Sequence, residues 1–198
     1  MSMETVALLE KASGALAGAT ERNRAALAAA LALVGEHEVG GQNQGPIVEF
    51  SIGYWVKEEP GEWALWCAGF ASTMYLIAEA VLALRARLSR EPERAELEAA
   101  LGRPSPWREI GSLQCSTLWE RANERKWTSL YPDAAAQPGD LVFFRGREEP
   151  DTLKHVGLVV GQKGRYLLTV EGNAGDAVRR RTYDLSFERL YGLARPVW

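Results

Sequence analysis

Leu65-Trp66-Cys67-Ala68-Gly69 stands where a turn containing Trp and Gly gives way to an apolar run that continues to about Leu88. Within that run Phe70, Met74, Ile77, Val81 and Leu84 recur at three- and four-residue spacing, the mark of one helical face. Cys67 falls on the same stripe, three residues before Phe70. The pattern predicts a buried helix over 65–88 with a thiol at its mouth. A helix N-terminus carries unpaired N–H groups and partial positive charge, which favour thiolate over thiol. The thiolate is the attacking form, so Cys67 is a candidate nucleophile.

Upstream, residues 4–34 read as helix: Leu8, Leu9, Ala12 and Leu16 recur near helical period, and Ala is abundant from Ala25 to Ala32. Gly14 and Gly18 weaken the first half, so two short helices fit as well as one. Gly35, Gly40, Gly41 and Gly45-Pro46 then open a loop. A short apolar patch, Tyr54 and Trp55 follow, and Glu58-Glu59-Pro60-Gly61 is a turn signal. Downstream, residues 89–106 are rich in Arg, Glu and Pro and read as a solvated helix-and-loop insertion. Leu113 to Trp127 reads as a further helix.

After Pro132 the period shortens. Pro138-Gly139-Asp140 is a turn, and Leu141-Val142-Phe143-Phe144 a buried strand. A polar loop from Arg145 to Lys154 leads to a second strand, His155 to Val160. Gly161-Gln162-Lys163-Gly164 turns into a third strand, Arg165 to Glu171, and Gly172 to Gly175 into a fourth, Val178 to Tyr183. The expected class is α+β: segregated helices packed against an antiparallel sheet of at least four strands.

Composition narrows the function classes. The 198 residues suffice for one sizeable core. A net charge of −3, with acids and bases intermixed, gives no basic stripe for nucleic acid and no cluster for an anionic membrane. The longest apolar run, Ala25 to Val34, is shorter than the roughly 20 residues a bilayer crossing needs. Met1-Ser2-Met3-Glu4 shows no signal-peptide pattern, so the expectation is cytoplasmic synthesis, with delivery to a cell wall or export by a non-classical route. Two cysteines, Cys67 and Cys115, make no disulfide framework. No Cys-x-x-Cys or His-x-x-x-His spacing supports zinc, and neither a metal nor a cofactor is expected.

Three positions carry chemistry: Cys67, His155 at the start of one strand, and Glu171 with Asn173 near the end of the next. Adjacent antiparallel strands bring His155 towards 171–173. Side chains two apart share a face, so Glu171 and Asn173 can line one side, while Gly157 leaves room beside the imidazole. Taken singly, each has a plainer role. Cys67 is a small core residue, His155 a strand-edge residue, and Glu171-Gly172-Asn173 a turn. Cys115, with no partner in view, reads as packing, and His37 as a solvated loop residue. The aromatics Tyr54, Trp55, Trp63 and Trp66 read as core or as the wall of a substrate groove.

Four motifs nevertheless occur in order: Trp66-Cys67-Ala68-Gly69-Phe70, then Gln137-Pro138-Gly139-Asp140-Leu141-Val142-Phe143-Phe144, then His155-Val156-Gly157-Leu158-Val159, then Val170-Glu171-Gly172-Asn173. The set resembles the CHAP family, the cysteine, histidine-dependent amidohydrolases and peptidases of the papain-like clan. The match runs from about Val39 to the C-terminus, which divides the chain into an N-terminal helical extension, 1–36, and a catalytic domain, 37–198. The resemblance implies a papain-like fold and cleavage of amide bonds in peptidoglycan, either N-acetylmuramoyl-L-alanine or peptide bonds. It implies Cys67 as nucleophile, His155 as general base, and Glu171, with Asn173 in support, as the group that orients the imidazole. Tyr54, Trp66 and Gln44 are the candidate substrate-binding residues, with the Cys67 N–H and a donor from Gln42-Asn43-Gln44 or Tyr54 as candidate oxyanion partners. Two other readings share the scaffold: an intracellular cysteine hydrolase of another amide or thioester, and a silent wall-binding or structural protein.

Overall fold

Ala-rich and apolar segments fold here into five α-helices, described in a computed structural model that covers residues 7, 8, 11, 21–55, 66–131, 133 and 135–197. Most of the first half of the N-terminal segment, the turn at Glu58-Glu59-Pro60-Gly61, Trp63 and Pro132 lie outside those residues. The helices are α1 (Arg22–Ala32), α2 (Pro46–Ile52), α3 (Cys67–Leu88), α4 (Arg94–Leu101) and α5 (Cys115–Glu124), with a 3₁₀ turn at Pro106–Glu109. The strands are β1 (Thr128–Leu130), β2 (Leu141–Arg145), β3 (Leu153–Lys163), β4 (Tyr166–Glu171), β5 (Arg179–Asp184) and β6 (Leu190–Ala194). They form one antiparallel sheet in the order β1-β6-β2-β3-β4-β5. The class is α+β, as expected, with a meander β2–β5 that runs from the middle of the sheet to one edge.

Helix α3 starts at Cys67. Its apolar stripe is buried, and so is every residue from Cys67 to Val81. Small residues make this possible. Ala25, Ala26, Ala29 and Ala30 of α1 are fully covered in the same core as α3, so the two backbones approach closely. The polar groups taken inside are paired, as buried polar groups must be. Trp55 Nε1 donates to Thr73 Oγ1 at 2.9 Å, Thr73 Oγ1 to the Ser51 carbonyl at 2.9 Å, and Ser72 Oγ to the Ser112 carbonyl at 3.0 Å. By length and composition α3 is apolar enough to cross a membrane, yet most of it is buried inside the protein.

Two local expectations are corrected, at β3 and in the insertion, and elements that the sequence left unassigned are added. The patch after Gly45 is helix α2, because Pro46 occupies the first helical turn, where a missing N–H costs nothing. Strand β3 begins at Leu153 and runs through Gly161 to Lys163, with a register shift between Val159 and Gly161 in place of the expected turn. The insertion is not wholly solvated: Leu97 and Leu101 of α4 are buried. Strands β1 and β6 extend the sheet beyond β2. Residues 21–36 are tied to the remainder: α1 shares the main core, Gly35 N–H donates to the Val178 carbonyl at 2.9 Å, and Val178 N–H to the Glu36 carbonyl at 2.8 Å.

Asp140 immediately precedes β2 and is fully buried, and Arg195, just after β6, clamps it: Nε to Oδ1 at 2.9 Å and Nη2 to Oδ2 at 2.7 Å. Gln137 N–H donates to Oδ2 at 2.8 Å, which closes the Pro138-Gly139-Asp140 turn. A planar guanidinium meeting both carboxylate oxygens is the strong form of ion pair.

Candidate active site

Two backbone elements bring the chemistry together. Helix α3 presents Cys67 as its first residue, and β3 passes in front of it. The Cys67 sulfur lies 3.9 Å from the Lys154 carbonyl oxygen, next to His155 in sequence. The imidazole is near enough to the sulfur for each to shift the other's proton affinity. Its Nε2 is 2.8 Å from Glu171 Oε2, which leaves Nδ1 as the ring nitrogen for the sulfur. The thiol, the imidazole and the carboxylate therefore form one connected row.

Glu171 ends β4, is 1% exposed, and is fully engaged. Oε2 also accepts from Tyr183 OH at 3.0 Å, and Oε1 accepts from Thr169 Oγ1. Neither Tyr183 nor Thr169 was singled out from sequence. Thr169 sits two residues before Glu171 on the same strand face, a signal present in the sequence. Tyr183 reaches the carboxylate only through the β4–β5 register, in which Leu167 pairs with Tyr183 and Glu171 with Arg179.

Two glycines make the row possible. A side chain at Gly157 would put its Cβ 2.5 Å from Glu171 Cγ. The room expected beside the imidazole is thus filled by the stem of the carboxylate that holds it. At Gly172 a Cβ would lie 2.6 Å from Phe70 and 2.8 Å from Trp66. The end of β4 is pressed against the first turn of α3, so the strand and the helix fix each other.

Electrostatics completes the geometry. The thiol of Cys67 is held well below its ordinary range, first by the hydrogen bond from Cys115, then by the charge and hydrogen bond of His155 and by the Val156 N–H; burial works against them. For His155 burial is the strongest influence and disfavours charge. The Cys67 sulfur and Glu171 together outweigh it and push the imidazole up to about 10. Both shifts favour a thiolate–imidazolium pair over the neutral thiol and imidazole. Burial, aided by Glu171, raises the Tyr183 phenol, which stays a neutral donor.

The remaining candidates divide. Asn173 lies past the end of β4 with φ of 56°, so strand alternation does not apply to it. No hydrogen bond joins it to His155; among the described residues its Nδ2 is buried without a partner. The imidazole is oriented by Glu171. Trp66 is 1% exposed and packs edge-on to Phe70, with Nε1 donating to Glu38 Oε1 at 2.7 Å. It is a core residue, not part of a groove wall, because its ring is what Gly172 rests on. Glu38 Oε2 also accepts the Asn43 N–H at 2.6 Å, which ties the 42–44 loop to the residue before Cys67. Exposed Gln44 lines a cavity of about 520 Å³ with Val39, Pro46 and Ile52. Tyr54 faces the other way, towards the charged insertion: it lines a separate cavity with Glu98, Leu101 and Arg108. Burial first, then Glu98, raises its phenol to about 12. His37 is exposed, as expected. Cys115 is buried in the core, as expected, but it has a partner after all: its sulfur lies 3.6 Å from that of Cys67. Among the described residues no group of three or more His, Cys, Asp or Glu is placed to hold a metal ion.

Comparisons with family models, with curated proteins and with solved structures each return no match to this chain.

Proposed function

We propose that this chain is a cysteine-dependent hydrolase of peptidoglycan amide bonds on a papain-like scaffold. One observation carries the hydrolase reading: a thiol at a helix N-terminus joined to an imidazole that is itself held by a buried, fully hydrogen-bonded carboxylate. Core packing alone supplies no reason to align three titratable groups in a row. A long central helix bearing the cysteine, set against an antiparallel sheet bearing the histidine and acid, supports the papain-like description. Peptidoglycan as substrate rests on the resemblance of the four ordered motifs to the CHAP family.

The chemistry follows from the ion pair. The Cys67 thiolate attacks the carbonyl carbon of the amide, and the C–N bond breaks as the His155 imidazolium gives its proton to the departing amine. The acyl group is left as a thioester on Cys67. Neutral His155 then takes a proton from water, the hydroxide adds to the thioester, and the C–S bond breaks to restore thiolate and imidazolium. The Cys67 N–H, without an intrahelical acceptor at the first helical position, is one donor to the oxyanion. The 42–44 loop, tethered beside Trp66, is the better placed source of a second; Tyr54 is not. The sulfur is covered at 2% exposure while the His155 side chain keeps 17%, so the substrate carbonyl approaches from the imidazole side.

Digestion of purified bacterial walls, with mass spectrometry of the released muropeptides, tests the proposal and names the bond cut. The wild-type chain is expected to release new amine and carboxyl termini, and Cys67→Ala, folded by circular dichroism, none. Equal release by both proteins would end the proposal.

A further inference from the structure

Sequence gave Cys115 no chemical role, yet its sulfur lies 3.6 Å from that of Cys67 although 48 residues separate them. Each cysteine opens its own helix, α3 and α5, so two helix N-termini converge on one pair of sulfurs. Both are free and buried. At the first residue of a helix a thiol has no carbonyl one turn back to accept its proton, which is where a helical hydroxyl or thiol ordinarily donates. Among the described residues the acceptor within reach of Cys115 is the Cys67 sulfur.

The direction of that contact follows from the neighbours. Cys67 has the imidazole; the cation that acts on Cys115 is Lys154, whose charge is shared with Glu149 at 3.0 Å. The negative charge therefore resides on Cys67 and the proton on Cys115. A covered anion with little water needs donors from the protein.

We propose that Cys115 is a positioning residue: its S–H donates to the Cys67 thiolate and, with His155 on the other side, holds that sulfur ionised and aimed. Burial and the adjacent charge of Cys67 raise the Cys115 thiol, with the hydrogen bond to Cys67 the leading cause, so the donor proton is kept throughout the working range.

The inference rests on Cys67 being the nucleophile, but its test needs no wall substrate, so the two can fail separately. The rate of Cys67 alkylation by iodoacetamide is followed against pH under a phosphine reductant, by mass spectrometry of the Cys67 peptide. Wild type is compared with Cys115→Ala, Cys115→Val, which fills the space without a donor, and Cys115→Ser, which restores one. Loss of the donor is expected to move the alkylation midpoint up by about one pH unit, a roughly tenfold slower reaction on the acid side. Ser is expected to recover at least half of that shift. Profiles for Val and Ala that coincide with wild type would overturn the proposal, as would a Ser profile identical to that of Val. Should Ala fail to fold, the Val–Ser pair decides alone.

Discussion

Two carboxylates lie almost wholly buried in this sheet, and they do different things. Asp140, just before β2, is gripped by Arg195; Glu171, at the end of β4, is gripped by His155, Tyr183 and Thr169. Burial and hydrogen-bond count are alike. The partner is what differs: a guanidinium keeps its proton at any working pH, whereas an imidazole can release one, and only the imidazole stands beside a sulfur. Asp140 can only hold the chain together. Glu171 can hold a group that moves a proton. Chemistry in this fold is decided by the cation paired with the acid, not by the acid.

Breaking the two pairs should therefore give opposite phenotypes. The largest effect is expected for His155→Ala: wall hydrolysis falls about a thousandfold or more while the chain, though less stable for want of a cation beside Glu171, still folds, measured by turbidity loss and by thermal denaturation. The mirror result is expected for Asp140→Ala. Unfolding free energy drops by about 3 kcal/mol in urea titration, a value set below that of a fully buried pair because Arg195 is about one-third exposed and can turn to water. Activity per folded molecule stays near wild type. Should Asp140→Ala destroy activity in the folded fraction, or His155→Ala unfold the chain, the division of labour drawn here is wrong.

The pH profile sharpens the same contrast. The proposed mechanism needs Cys67 ionised and His155 protonated. It should rise as pH climbs through the lowered Cys67 range and decline as pH passes about 10, where the imidazolium loses its proton. The sign for stability agrees. A histidine whose folded value is raised stabilises the fold fully below its ordinary titration range and loses that contribution as pH rises through about 10. Glu171→Gln removes one of the charges that raise His155, so the alkaline decline should shift to lower pH, read from rates between pH 6 and 11. The smallest effect is expected for Tyr183→Phe, which removes one of three donors to Glu171: a few-fold loss of rate and about 1 kcal/mol of stability.

Much of this was legible in the residues because it is local. The apolar helix ending at Leu88 with Cys67 at its mouth, the turn at Pro138-Gly139-Asp140 and the strands β2 to β5 follow from periodicity and turn chemistry. The thiol, imidazole and acid were legible as an ordered set. What was hidden depends on contacts between distant segments. Strand β1 is three residues long, and β6 carries a glycine, so neither has a pattern apart from the sheet that pairs them. Tyr183 needs the β4–β5 register and Cys115 the meeting of two helices. Trp66 and Tyr54 share a type with groove residues elsewhere; only packing sends one inward and the other towards Glu98 and Arg108.

Gly157 has a consequence for anyone hoping to move this site to another scaffold. The three reactive side chains would not suffice as a graft. The recipient would also need an empty place two residues beyond the histidine, a bare backbone just after the acid, and a Thr-x-Glu pairing before it. A screen for thiol–imidazole–carboxylate rows of this kind should therefore look for vacancies as carefully as for the three side chains.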